Sequence, residues 1–157
     1  MLAALKARFN GADDFCLREL TAGGQVLYAL FLDGMTSGSD ISDFVVRPLM
    51  ENLRPGTPEE LYAQAQRGAV WCAVCEEADS AEAAADKLTH GYCVVVFPGL
   101  AKALCFEAKS GTRRGPSAPE SENTVKGAKD AFTETIRINT ALVRRHLRTP
   151  ELRFVSK

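Results

Sequence analysis

The feature that most constrains this chain is the stretch Tyr92–Phe97, an uncharged and largely β-branched run, followed by Pro98-Gly99 and a second apolar run over Ala103–Ala108. β-Branched and aromatic residues at this density favour a strand buried on both faces. The intervening Pro-Gly favours a turn. The two runs are therefore expected to pair antiparallel at the centre of a sheet, and every other element must cover that sheet or extend it.

The neighbouring segments can do both. Leu2, Leu5 and Phe9 share one face of a short helix over residues 1–9, which Asn10-Gly11 ends. Phe15–Leu20 and Val26–Leu32 read as strands of a hairpin whose turn holds Gly23-Gly24. Ser39 or Asp40 can cap a helix over Ile41–Leu53, with Pro48 expected to kink or divide it. Thr57-Pro58-Glu59-Glu60 has the order of a helix start: cap, Pro at the first position, then acids in the first turn. Ala69–Cys75 reads as a buried strand, and Ser80 opens an alanine-rich helix that ends at His90-Gly91. Lys109–Thr124 reads as a loop. A long amphipathic helix is expected from Lys126 to Arg148, capped by Thr124 and stopped before Pro150, with Leu152–Val155 as a last edge strand. In that helix Ala131, Thr135, Ile138 and Leu142 form one row, and Phe132, Ile136, Asn139, Val143 and Leu147 the adjacent row of an apolar face. The resulting fold class is α/β (α+β): one mixed β-sheet flanked by helices, with the long helix at the C-terminal end.

Composition excludes several function classes. A length of 157 residues suits one domain with a real core. A net charge of −1 does not draw the chain to nucleic acid or acidic lipid. No segment approaches the ~20 apolar residues of a membrane span, and the N-terminus carries no long apolar run of a secretion signal. Five cysteines, an odd number, with four in apolar strand-like runs, fit buried thiols in a reduced compartment.

Trp71-Cys72-Ala73-Val74-Cys75 is the one sequence with the form of a dithiol redox motif. A reactive dithiol needs a helix N-terminus or a cation to lower the first thiol's pKa. Here Glu76-Glu77 follow, which raise it, and on a strand the two thiols would face opposite ways. His90, Cys93 and Cys105 match no zinc spacing, and neither His90 nor His146 lies in a hydrolase motif. Phosphate-binding glycine loops are absent. No cofactor, metal or catalytic residue is assigned. A thiol-dependent enzyme using Cys72 and Cys75, or a free-standing small-molecule binding module, are the alternatives to a non-enzymatic interaction domain.

The C-terminal quarter carries a pattern at fixed spacing: Lys126-Gly127-Ala128, Phe132-Thr133-Glu134, Arg137, Asn139, Ala141-Leu142, Arg144-Arg145, Leu147, Pro150 and Leu152. It resembles the A subunits of the GerA-type spore germinant receptors and the related stage V sporulation AF-type proteins. Phe31-Leu32-Asp33-Gly34-Met35, Arg47-Pro48-Leu49-Met50, Tyr92–Lys109 and the link Arg114–Asn123 extend the resemblance from about Leu20 onward. The chain departs from the family where Lys126-Gly127-Ala128 replaces an Arg-Gly-Pro.

The resemblance implies that residues 1–157 are a single soluble N-terminal subdomain, a fragment of a longer membrane protein of the spore inner membrane. Its partners would be other receptor subunits and a small-molecule germinant, with no nucleic acid, and the membrane would be reached only through segments absent from this chain. Arg113, Arg114, Glu134, Arg137, Asn139, Arg144 and Arg145 are the residues expected to contact a subunit or ligand, because the planar guanidinium fork favours paired hydrogen bonds across such surfaces.

Overall fold

A computed structural model describes residues 1–110 and 132–155. The first helix, α1 (Leu2–Arg8), buries Leu5 and is followed by a hairpin of β1 (Phe15–Ala22) and β2 (Gln25–Leu32) in full antiparallel register. Gly23 and Gly24 take positive φ at its two-residue turn, which a side chain would resist.

The next helix is continuous but changes pitch. It runs through α2 (Gly38–Asp40), a π-helical stretch Ile41–Val46 and α3 (Arg47–Asn52), with the Ser37 hydroxyl accepting from the Asp40 N–H as cap. The kink or division expected at Pro48 does not appear: the helix passes through it unbroken, with the π-helical stretch just ahead of it. Proline has no N–H to offer the turn before it, and the Phe44 carbonyl accepts from Trp71 N–H instead, at 3.2 Å. The next helix, α4 (Pro58–Gln64), starts on a complete capping box between Thr57 and Glu60. It runs on through a π-helical stretch to Ala69, where Gly68 at φ +107° ends it.

Three elements complete the first 110 residues besides β3 (Cys75–Ala78): α5 (Ala81–Thr89), capped by Ser80, then β4 (Tyr92–Val96) and β5 (Ala103–Glu107). Strand order is β1-β2-β4-β5-β3. The α+β class holds, but all four pairings are antiparallel where a mixed sheet was expected. The topology explains the difference. Both β3 and β4 are antiparallel to β5, so they run in the same direction with α5 crossing between them. The returning strand β5 occupies the slot between them, so no parallel contact forms.

Helices cover both faces of the sheet. On one face Ile41, Val45, Leu49, Leu61 and Tyr62 pack on Leu27, Ala29, Cys93, Val95, Leu104 and Phe106. On the other, α1 and α5 bring Leu5, Phe9, Ala84, Ala85 and Leu88 against Leu30, Leu32, Val94, Val96 and Cys105. Every residue of β4 is buried, as its composition required.

The strand expected over Ala69–Cys75 is displaced. Val70 is buried, but Trp71 is 54% exposed, and the strand begins only at Cys75 and continues through the two glutamates. An edge strand needs partners for its polar side chains more than apolarity. Glu76 accepts from Lys87 and from the Tyr92 hydroxyl, while Glu77 accepts from the Tyr62 hydroxyl, Gln66 and Lys102. Cys93 and Cys105 are buried, but Cys16 and Cys72 are only half-buried and Cys75 is exposed.

The last helix, α6, spans Ile136–His146. Residues 132–135 are described and are not helical, so the helix starts later than the pattern suggested. The expected cap Thr124, the first turn at Lys126 and nearly all of the loop Lys109–Thr124 lie outside the described residues. No strand forms at 152–155; that segment docks without regular secondary structure, with Asp13 N–H donating to the Phe154 carbonyl at 2.9 Å.

Candidate functional site

Three contacts seat α6 on the segments that flank β1 and β2. One is at Gly34, just past β2, which has φ +80°, where a Cβ would lie 3.1 Å from the Ala141 Cβ and 3.2 Å from the Arg137 carbonyl. Glycine is required at this position by conformation and by space. Beside it, the Arg137 guanidinium donates to Asp33 on an exposed ion pair.

The third contact is the centre of the arrangement. Arg144 is fully buried and donates to both carboxylate oxygens of Asp14, at 2.6 and 2.8 Å. The same guanidinium donates to the Thr149 and Leu152 carbonyls and lies 5.2 Å from the centre of the Phe154 ring. Arg153 adds bonds to the Arg8, Asn10 and Pro150 carbonyls, and Arg8 pairs with Glu151. The C-terminal segment 149–154 is thus fastened to the N-terminal helix and to the start of β1. A buried, bidentate guanidinium with all three nitrogens hydrogen-bonded is the arrangement in which a desolvated charge is tolerated.

The residues expected to contact partners fall into three groups. Arg137, Asn139 and Arg144 are engaged within the chain. Asn139 accepts from the Thr133 N–H at 2.7 Å and donates to the Thr133 carbonyl at 2.6 Å, holding the chain ahead of α6 in place. Glu134 is exposed and Arg145 half-buried. Arg113 and Arg114 lie outside the described residues. Sequence reading missed Asp14, Phe154 and Arg153. Nothing local marks Asp14 as the partner of a residue 130 positions away.

The faces of α6 are also arranged differently from expectation. Arg137, Ala141 and Arg144, with Leu142 beside them, form the inner side, whereas Ile136 and Leu147 are 78% and 54% exposed. Neither row read as an apolar face is wholly buried: Ile138 in the first is 47% exposed, and in the second only Asn139 and Val143 are half-buried.

Two shallow clefts lie elsewhere. One of about 430 Å³ is lined by Met1, Leu2, Tyr28 and the β4–β5 turn. The other, about 230 Å³, is lined by Asp40, Phe44, Trp71 and Cys72. The Cys75 thiol is pushed up to about 11, first by desolvation and then by Cys72, Glu77 and Glu76. Cys72 lies ahead of the strand β3 and not at a helix N-terminus, the setting that activates a first thiol. Among the described residues no cluster suited to a metal ion occurs, and no helix is long and apolar enough to cross a membrane.

Comparison with known proteins decides the family. The model of the Bacillus/Clostridium GerA spore germination proteins matches residues 3–157. The chain belongs to that family. Among curated relatives, the uncharacterized membrane protein YfkQ of Bacillus subtilis (strain 168) is 29% identical over 94% of this chain and 28% of its own length. Stage V sporulation protein AF of the same organism is also 29% identical, over 89% of this chain and 28% of its length. Spore germination protein A1, again from that organism, is 25% identical over 96% of this chain and 30% of its length. The chain therefore spans under a third of these GerA-family proteins. Its fold is that of the crystal structure of the N-terminal domain of the A subunit of the Bacillus megaterium spore germinant receptor GerK3, with TM-score 0.68 and 21% identity. That likeness covers 97% of this chain and 55% of the solved one.

Proposed function

We propose that residues 1–157 form a soluble N-terminal subdomain of a longer germinant-receptor A-type subunit held in the spore inner membrane. The subdomain acts without catalysis, helping to couple germinant sensing to release of ions and core solutes. Its contacts are with other receptor subunits or with a small-molecule germinant, and binding biases one arrangement of the receptor over another. The observation that carries this reading is the family match along nearly the whole chain, supported by a fold shared with a receptor A-subunit domain. Glu134 is the exposed member of the expected contact set on the described residues, Arg145 is half-buried, and Arg113 and Arg114 belong to the set as expectations outside the described residues. The place of Cys72 ahead of a strand, with no helix N-terminus at it, speaks against the thiol-dependent alternative.

The experiment is a deletion of the gene in its own spore-former, complemented by the full open reading frame. Dipicolinic acid release is then followed after each nutrient germinant is added. The reading expects a germinant-specific loss that complementation restores. Unchanged release with every germinant would sink it.

A further inference from the structure

The cleft between the π-helical stretch Ile41–Val46 and the segment ahead of β3 holds two aromatic side chains that the described fold leaves open. Trp71, the chain's only tryptophan, is 54% exposed and Phe44 is 48% exposed. Both line a space of about 230 Å³ with Asp40, Val45, Cys72 and Glu107. Tryptophan is highly buried on average, and looseness does not account for this exposure. The Trp71 N–H donates to the Phe44 carbonyl at 3.2 Å. On either side of it, Asn52 donates to the Ala69 carbonyl at 2.8 Å and the Cys72 thiol to the Val74 and Glu107 carbonyls at 3.3 Å each. The segment is tied to helix and sheet while both rings stay exposed. The helix contributes as well: its π-helical stretch buries Ile41, Val45 and Val46 and leaves Phe44 outside, and such stretches recur at functional sites. Beyond Glu107 the chain runs toward Met35, whose carbonyl accepts from the Ser110 N–H, so among the described residues nothing returns over the cleft.

We infer that this cleft is a binding site for a small organic ammonium ion that carries no carboxylate of its own. The polar groups of the cleft set that chemistry. Asp40 is its one side-chain carboxylate. Glu107 offers only its backbone: along β5 Leu104 and Phe106 face one core and Ala103 and Cys105 the other, so the Glu107 side chain falls on the second side, where it pairs with Lys109. The lining holds no lysine, arginine or histidine. Among the described residues the Asp40 carboxylate accepts only from the Ser39 hydroxyl, at 3.4 Å, and has no salt-bridge partner. A carboxylate in the first turn of a helix is favoured by the helix itself, so Asp40 alone signals no ligand. The two exposed ring faces beside it are what the helix does not explain. Aromatic faces attract cations, tryptophan most strongly, and a carboxylate at the rim adds charge and hydrogen-bond acceptors for N–H donors. A zwitterion brings a second carboxylate against Asp40 and is disfavoured. The volume suits a ligand of few heavy atoms, below the size of ordinary drug-sized sites. In taking the ligand to be a small molecule, the inference rests on the receptor reading above, and gives its small-molecule contact a place and a chemical class.

The test uses the fluorescence of Trp71, which as the chain's only tryptophan reports this site alone. In the free chain its emission should be open to quenching by acrylamide, and a shielded Trp71 overturns the inference at once. The probe is isopentylammonium chloride at neutral pH and fixed ionic strength. Isopentanol, with the same skeleton and no charge, and leucine, with the same skeleton and a carboxylate, are the comparisons. The expected result is a saturable change of emission with the amine, at an affinity about fivefold or more above that for either comparison. Asp40→Asn should weaken the amine by about fivefold and leave the alcohol unchanged, and Phe44→Leu, which keeps an apolar side chain without a ring, should weaken the amine more than the alcohol. Both positions are exposed, so neither change disturbs the core. Equal binding of amine and alcohol overturns the inference, because the cleft is then merely apolar. So does leucine binding as tightly as the amine, an Asp40→Asn chain that binds the amine unchanged, or an emission that never saturates. All of these are read on the chain alone, so their failure leaves the receptor reading to the dipicolinic acid experiment.

Discussion

The central strands and the last helix are held in opposite ways. β4 and β5 bury apolar side chains on both faces and have helices over each. The inner side of α6 instead carries two arginines, and its exposed side carries isoleucine and leucine. Apolar burial is non-directional and tolerates small shifts of its partners. A buried bidentate ion pair fixes one geometry and fails if either partner is lost. The comparison teaches that α6 is positioned by directional contacts where the central strands are positioned by apolar burial.

Substitutions can break this comparison. The largest effect is expected at the buried pair: Asp14→Ala leaves Arg144 charged and unpaired, at a cost of about 3–5 kcal/mol. Because the pair holds only α6 and the segment after it, hydrogen exchange should rise in 136–154 ahead of β4. Uniform loss of protection would show that the two regions are one cooperative unit. In the sheet, Leu104→Ala opens a cavity in a fully buried site, costing about 2–5 kcal/mol in chemical denaturation. Its effect should spread through every element on that face. Arg137→Ala removes an exposed pair, and its cost should stay within about 1 kcal/mol. A larger loss would mean that the whole seat of α6, and not Arg144 alone, carries the attachment.

The smallest effect concerns acid. The hydrogen bond from Lys87, then that from Tyr92, holds the Glu76 carboxyl below its ordinary value of 4.5, and the Tyr62 hydroxyl, then Lys102, does so for Glu77. A carboxylate whose folded pKa is depressed contributes stability above its unfolded pKa and loses it as pH falls through the folded one. The double variant Glu76→Gln, Glu77→Gln should therefore be slightly less stable at neutral pH and should lose stability less steeply below about pH 4.5. An unchanged acid limb would remove the β3 edge network from the account.

Most of the fold was legible where a local signal decides it. The hairpin glycines, the Thr57 capping box, the Ser80 cap and the apolar runs of β4 and β5 each act within a few residues. The strand at Ala69–Cys75 was misplaced because apolarity stood in for pairing. Trp71 gives its N–H to a helix carbonyl, and the acidic residues after it make the strand. Of the expected contact residues, Arg137 and Arg144 were visible as cations on a helix, but not their carboxylates, which lie 104 and 130 positions away.

The sequence alone determined the family, through residues at fixed spacing along the chain, and the class of fold, through the periodicity of its apolar runs. Tertiary structure alone decided the antiparallel slot taken by β5, the burial of Arg144 on Asp14, and which side of α6 meets solvent. Each depends on segments far apart in sequence being brought together, and a helix with apolar and charged residues on both sides carries no local instruction about which side will be buried.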